Sequence, residues 1–238
     1  DSVSILGTAN PSLSLGPGND TLSVSGSAHV FNSDLSNGGS NLTATFNGGV
    51  TLGASQHFAS LTVNNLGSVV MSANGNRVVV AKALNIVGNG KFDLNDNDMI
   101  VDYTSSSPLA TIQTKINTAR AGGAWTGVGL TSTAAKNHPS QTTTLGAMEA
   151  ADYTGVSGST IFDGETIDAT AVVVKYTYYG DADLNGLISL DDYANADGGY
   201  LLNLTGWING DFDGSGGKPD LDDYSFIDAA FLTGGPTL

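Results

Sequence analysis

The chain has 238 residues, with 23 acidic against 8 basic side chains and a net charge of −15. That balance argues against nucleic acid and anionic membrane surfaces as partners, and no apolar run approaches the ~20 residues a membrane-spanning helix needs. There are no cysteines, so bound metal and a repetitive hydrogen-bonded sheet must do the work of disulfides.

The first six residues, Asp1-Ser-Val-Ser-Ile-Leu6, form a strand-like segment with Val3 and Ile5 on one face. Gly7, Pro11 and Gly16-Pro17-Gly18 follow as punctuation that would let the segment swing away, so residues 1–20 are read as a strand and linker able to donate a strand to a neighbouring sheet. A flexible or self-paired N-terminus is the competing reading. Starting at Asp1 with no Met, the chain reads as a mature form whose leader has been removed.

From there to about residue 104, short period-two segments alternate with turns. Thr21–Ser25, Asn41–Phe46, Ser60–Val63, Ser68–Met71, Arg77–Ala81 and Met99–Tyr103 predict strands, and Asn/Gly pairs at 37–39, 47–49 and 74–75 mark the turns between them. A parallel β-solenoid and a jelly-roll or sandwich-like body both fit this spacing; the Asn and Gly at the turns lean towards the solenoid. A helix is predicted over 108–120. Ser107 can cap it, Pro108 suits its first turn, and Leu109, Ile112 and Ile116 form one apolar stripe. Strands are expected near 144–150 and over Ala171–Tyr179, the Val172-Val173-Val174 run being an interior strand beside Met99–Tyr103. The β-rich body thus spans 21–179, and a small helical module spans 180–238.

The acids concentrate in that last module: 11 aspartates and one lysine lie between Asp181 and Asp228. Asp181-Ala-Asp-Leu-Asn-Gly-Leu-Ile-Ser-Leu-Asp-Asp192 fits a twelve-residue EF-hand-type loop. Oxygen side chains fall at positions 1, 3, 5, 9 and 12 (Asp181, Asp183, Asn185, Ser189, Asp192), Gly186 makes the sharp turn, and Leu187 offers its carbonyl. A hard cation needs six to eight oxygens converging on one point, which alternate residues of a tight loop can supply. Aligning Leu190-Asp191-Asp192-Tyr193 with Leu221-Asp222-Asp223-Tyr224 reveals a second copy with one extra residue at Gly216-Gly217. Its expected ligands are Asp211, Asp213, Ser215, the Lys218 carbonyl, Asp220 and Asp223. Asp, Asn and Gly also dominate ordinary surface turns, but duplication of the whole unit favours two calcium ions. In the stretch after the second loop, Tyr224, Ile227 and Phe231 share one helical face.

A duplicated loop-then-helix unit with Asp at position 12 resembles the type I dockerin module over about 55 residues, Tyr179 to Leu232. The resemblance implies a calcium-organised helical module that docks to a cohesin-like partner. The pairs before the last ligands, Leu190-Asp191 and Leu221-Asp222, depart from the hydroxyl-bearing pattern many dockerins use for recognition. Upstream, Lys91–Tyr103, the Ser-Pro-Leu helix, Gly123-Ala-Trp-Thr-Gly127 and Val174–Asp183 resemble the C-terminal region of large secreted bacterial proteins similar to autotransporter-associated β-strand repeat proteins. This second resemblance implies export and architecture rather than an activity.

Catalytic motifs are missing. His29, His57 and His138 share no motif, there is no phosphate-binding loop, and only Glu149 and Glu165 supplement the aspartates. Asp93–Asp98 reads either as a polar turn or as a third cation site. Trp125, Tyr176, Tyr178 and Tyr179 form either a sugar-binding platform or part of the core, the core being favoured. The expectation is a non-enzymatic, secreted, calcium-stabilised structural subunit of a bacterial extracellular filament or surface assembly that self-associates. The alternative is a module attaching to a cohesin-like protein or a glycan. Asn19, Asn41 and Asn203 lie in Asn-x-Ser/Thr sequons open to glycosylation.

Overall fold

Short alternating strands joined by Gly/Asn corners wind into a three-faced solenoid. The computed structural model describes residues 1–7, 13, 15, 18–233 and 237–238; Pro11 and the Gly16-Pro17 part of the expected linker lie outside them. β1 (Ser2–Ile5), β2 (Asp20–Val24) and β3 (His29–Phe31) begin the coil. β4 (Leu42–Phe46), β5 (Gly49–Leu52) and β6 (Gln56–Phe58) make one full turn, and β7 (Ser60–Val63), β8 (Ser68–Met71) and β9 (Val78–Ala81) the next. β10 (Leu84–Ile86), β11 (Lys91–Asp93) and β12 (Asp98–Asp102) make the last. Each strand pairs in parallel with the strand one turn away: β1-β2-β4-β7-β10 form one face, β3-β5-β8-β11 a second and β6-β9-β12 a third. The sandwich alternative is thereby set aside.

Period-two alternation puts every second side chain inside, and register stacks like on like. Leu22, Ala44, Leu61 and Leu84 form one inward column, and Val24, Phe46, Val63 and Ile86 another. Phe58, Ala81, Val101 and Val172 line the third face. Corners hold by close backbone approach and side-chain amides. A Cβ on Gly48 would lie 1.7 Å from the Gly26 carbonyl oxygen one turn back, so only glycine fits. Asn64 Nδ2 donates to Asn47 Oδ1 at 2.6 Å across the next gap along the coil.

The C-terminal half closes the coil. α1 (Leu109–Arg120) buries Ile112, Ile116 and Ala119, starting one residue after the expected position, with Leu109 N donating to Ser107 Oγ at 3.1 Å. β13 (Gly129–Thr131) adds to the second face, followed by α2 (Thr133–Asn137). β14 (Thr143–Glu149), α3 (Ala150–Ser157) and the hairpin of β15 (Ile161–Phe162) and β16 (Glu165–Thr166) lead to β17 (Ala171–Tyr178). β17 pairs antiparallel with β12, Met99 opposite Val174, as the valine run anticipates, and β14 pairs antiparallel beyond it. α4 (Leu190–Leu202) and α5 (Leu221–Thr233) complete the chain. Ala182, Leu184, Ala196, Trp207, Phe212 and Ile227 share one apolar core with Met148, Ala171 and Val173, so residues on the two sides of position 180 pack together. Among the described residues, no helix is long and apolar enough to cross a membrane. The segment expected to be a donated strand, β1, pairs with β2 of its own chain, Ser2 opposite Thr21.

Candidate metal centre

β17 runs through Gly180 directly into the first acidic loop. Carboxylate oxygens of Asp181, Asp183 and Asp192 lie within 4.8 Å of one another. The backbone folds inward around them: Ala182 N donates to Asp192 Oδ1 at 2.8 Å, Gly186 N to Asp181 Oδ2 at 2.8 Å, and Ser189 N to Asp192 Oδ2 at 2.8 Å. Asn185 N donates to Asp183 Oδ1 at 3.0 Å, while Asn185 Oδ1 accepts from Leu187 N at 2.9 Å. Ser189 caps α4, and Asp192 closes a capping box with it, so positions 9 and 12 serve the loop and the helix together. The Leu187 side chain is exposed.

The second loop repeats this pattern despite its extra residue. Asp211, Asp213 and Asp223 again bring carboxylate oxygens within 4.8 Å of one another. Phe212 N donates to Asp223 Oδ1 at 2.8 Å, Ser215 N to Asp213 Oδ1 at 2.7 Å, Gly216 N to Asp211 Oδ2 at 3.0 Å and Asp220 N to Asp223 Oδ2 at 3.0 Å. Ser215 Oγ reaches Asp211 Oδ1 at 3.3 Å, and Asp220 Oδ1 takes the Asp222 amide at 2.9 Å. Lys218 is exposed, its ammonium 4.0 Å from the centre of the Tyr200 ring. The structure therefore gathers three of the expected side-chain ligands in each loop and keeps the other oxygens on the same short segments.

The two units interlock reciprocally. Tyr193 Oη donates to Asp228 Oδ1 at 2.6 Å, and Tyr224 Oη to Asp197 Oδ1 at 2.5 Å. The glycine before each loop faces the other unit's helix. A Cβ on Gly180 (φ +95°) would lie 2.5 Å from Ile227, and one on Gly210 (φ +96°) 2.8 Å from Ala196. Both features are written in the chain, as Gly-Asp-x-Asp at 180–183 and 210–213 and as Tyr-x-x-x-Asp at 193–197 and 224–228.

The electrostatics favour a cation. Asp181 is fully buried and Asp211 nearly so. Burial, together with neighbouring carboxyls, pushes Asp181 up to about 7 and Asp211 up to about 6. Asp192 and Asp223 are raised for the same first reason, burial. At 4.8 Å and an effective dielectric of ~20, each ionised pair repels by about 3 kcal/mol. A doubly charged ion removes that repulsion, and an all-oxygen donor set suits a hard ion such as calcium.

One polar group escaped the sequence reading. His57, on β6, holds Asp34 Oδ2 at 2.6 Å through Nδ1 and Glu165 Oε1 at 3.2 Å through Nε2. The Asp34 hydrogen bond raises His57 above its ordinary value, against the effect of burial. Burial works to raise Asp34, but hydrogen bonds from His57, Ser36 and Gly38 hold it lower. With both ring nitrogens engaged, the imidazole serves as a clamp between the solenoid and the β15–β16 hairpin rather than as a free base. No local motif signals it, because its three residues lie on different turns of the chain. The other glutamate, Glu149, accepts from Tyr103 Oη at 2.9 Å and from Ser107 Oγ.

The remaining candidates resolve individually. Asp93–Asp98 is a polar turn: Asp93 accepts from Asn95 N and Thr133 N, both at 2.9 Å, and Asp98 from Tyr176 N at 3.0 Å. Trp125, Tyr178 and Tyr179 are buried and Tyr176 is packed against the core, so they form no exposed platform. Asn19 and Asn203 are exposed, whereas the Asn41 amide donates to the Gly18 carbonyl. Comparison with family models, with characterised proteins and with solved structures finds no match.

Proposed function

We propose that the chain is a non-catalytic, secreted β-solenoid whose C-terminal module binds two calcium ions and serves as a structural subunit of a bacterial extracellular filament or surface assembly. The observation that carries this reading is the duplicated aspartate triad: two clusters, each buried at two of three carboxylates and ringed by the same backbone amides. Asp181, Asp183, Asn185, Leu187, Ser189 and Asp192 would hold one ion, and Asp211, Asp213, Ser215, Lys218, Asp220 and Asp223 the other. Each ion neutralises carboxylates that otherwise repel, and so fixes the loop and the helix leaving it. Self-association through the N-terminus would proceed by exchange: a β1 released from its own β2 would take the same register on a neighbour's.

A specific observation also favours the alternative, attachment to a protein partner. Duplication sets exposed apolar residues in equivalent pairs, Leu190 with Leu221, Tyr200 with Phe231 and Leu201 with Leu232, an arrangement suited to docking as in the dockerin-like reading. Calorimetry and native mass spectrometry test the metal: two calcium ions per chain are expected, and one after Asp181→Ala. A wild-type stoichiometry below two would refute the duplicated site. Electron microscopy with calcium separates the two roles. Filaments are expected, and monodisperse particles that capture a receptor would replace the structural reading with the docking one.

A further inference from the structure

The two loops diverge at their fourth position. Loop 1 has Leu184, with φ +58°, its side chain buried in the module core. Loop 2 has Gly214 in the same left-handed region, φ +67°, and there the polar side of α1 lands. A Cβ on Gly214 would lie 2.3 Å from Gln113 Nε2 and 2.8 Å from Asn117 Oδ1. The approach is therefore flush, and a side chain like that of loop 1 would displace the Gln113 and Asn117 amides.

Three side chains of α1 follow the loop at i, i+4 and i+7, one position round from the buried Ile112, Ile116 and Ala119 stripe. Gln113 Nε2 donates to Asn117 Oδ1 at 2.9 Å and so orients that amide. Asn117 Nδ2 donates to the Gly214 carbonyl at 2.7 Å, and Arg120 Nη2 to the Asp213 carbonyl at 2.6 Å. The guanidinium also lies 5.9 Å from the ring centres of both Tyr179 and Phe226, which stack at 4.5 Å. It thus ties together α1, the end of β17 and α5. Loop 1 takes uncharged donors instead, Trp207 Nε1 on the Asp181 carbonyl at 2.7 Å and Leu238 N on the Gly186 carbonyl at 3.2 Å.

We infer that Gln113, Asn117 and Arg120 are positioning residues for the second metal loop: α1, a helix of the solenoid cap, braces the Asp211–Ser215 backbone in the ligating shape before the ion arrives. The role as a metal brace rests on the calcium reading above, whereas the ordering of the loop in metal-free protein does not. The brace offsets the looseness that an inserted residue at Gly216-Gly217 would otherwise bring, and it couples ion loading in loop 2 to the solenoid end. A charged donor to a backbone carbonyl is among the stronger hydrogen bonds, so its loss should be read on the order of tenfold.

The test uses the full chain, metal-free and with calcium, carrying Asn117→Leu, Arg120→Met or Arg120→Lys. In the metal-free protein, Asn117→Leu and Arg120→Met should speed amide exchange at Asp213, Ser215 and Gly216 roughly tenfold while leaving Asn185 and Gly186 unchanged. Arg120→Lys, which keeps a charged donor, should recover part of the loss. Calorimetry should show the loop-2 calcium affinity falling by a similar factor with loop 1 unaffected. Unchanged loop-2 exchange in Asn117→Leu, or tighter calcium binding in Arg120→Met, would overturn the inference. If wild type bound no calcium, the calcium reading would fall, and exchange in the metal-free protein would still decide whether α1 orders the loop.

Discussion

The module should lose stability with rising pH far more steeply in the absence of calcium than in its presence. Asp181 rises from 3.8 to about 7 on folding without metal, chiefly through burial. Between those values the metal-free folded protein keeps a proton that the unfolded chain has already released, so stability falls as pH climbs from about 4 to 7. About three units at ~1.4 kcal/mol each give at most about 4 kcal/mol from Asp181, and Asp211, raised to about 6, acts in the same direction. Calcium competes with the same protons, so its binding, and the stability it lends, must grow over that range. Asp98, also pushed up to about 7 by burial with Lys175 pulling it down, contributes a falling slope that calcium does not alter. The informative quantity is therefore the difference between chelated and calcium-loaded protein. Hydrogen exchange of residues 181–232 at pH 5 and 7.5 measures it. In chelator, protection should drop steeply at the higher pH, and in millimolar calcium it should drop much less, so that the gap between the two widens. Equal slopes under both conditions, or protection of this region unmoved by chelation, would refute the argument that these carboxylates bind an ion.

Other outcomes follow from the packing. Gly48→Ala drives a methyl into the Gly26 carbonyl of the neighbouring turn and should cost more than about 3 kcal/mol, or abolish folding, as seen by thermal melting. Gly210→Ala, at φ +96° and against Ala196, should destabilise by roughly 2 kcal/mol or more and loosen the module before the solenoid, checked by exchange mass spectrometry. Tyr193→Phe and Tyr224→Phe should each cost about 1 kcal/mol, and nearly equally, because each removes one phenol–aspartate bond of a reciprocal pair. The His57 clamp should hold fully at low pH and weaken as pH rises through its raised value, so exchange in the 161–166 hairpin should increase there and become insensitive to pH in His57→Gln.

Several local features of this protein were determined by its sequence. Period-two alternation with Gly and Asn between runs specified strands such as Ser60–Val63 and Ser68–Met71 at their observed bounds. The Leu109, Ile112 and Ile116 stripe specified α1, and alternate aspartates around a turning glycine specified where carboxylates would converge. All of these are encoded within a few residues. Three-residue strands such as Gln56–Phe58 and Leu84–Ile86 were not legible, being too short for a period to show. For whether the strands pair to the next segment or to the segment one coil away, the sequence offered only the lean of its Asn and Gly turns towards the solenoid, because both arrangements use the same inside–outside alternation. Only the tertiary structure decided that Asn and Gly corners turn a coil rather than a hairpin, with Val24, Phe46, Val63 and Ile86 in one column. It alone brought Asp34 and Glu165 to His57, and Asn117 and Arg120 to the carbonyls of the second loop. Those contacts join residues some 20 to 110 positions apart, and no local pattern encodes a distance in space that the winding of the whole chain creates.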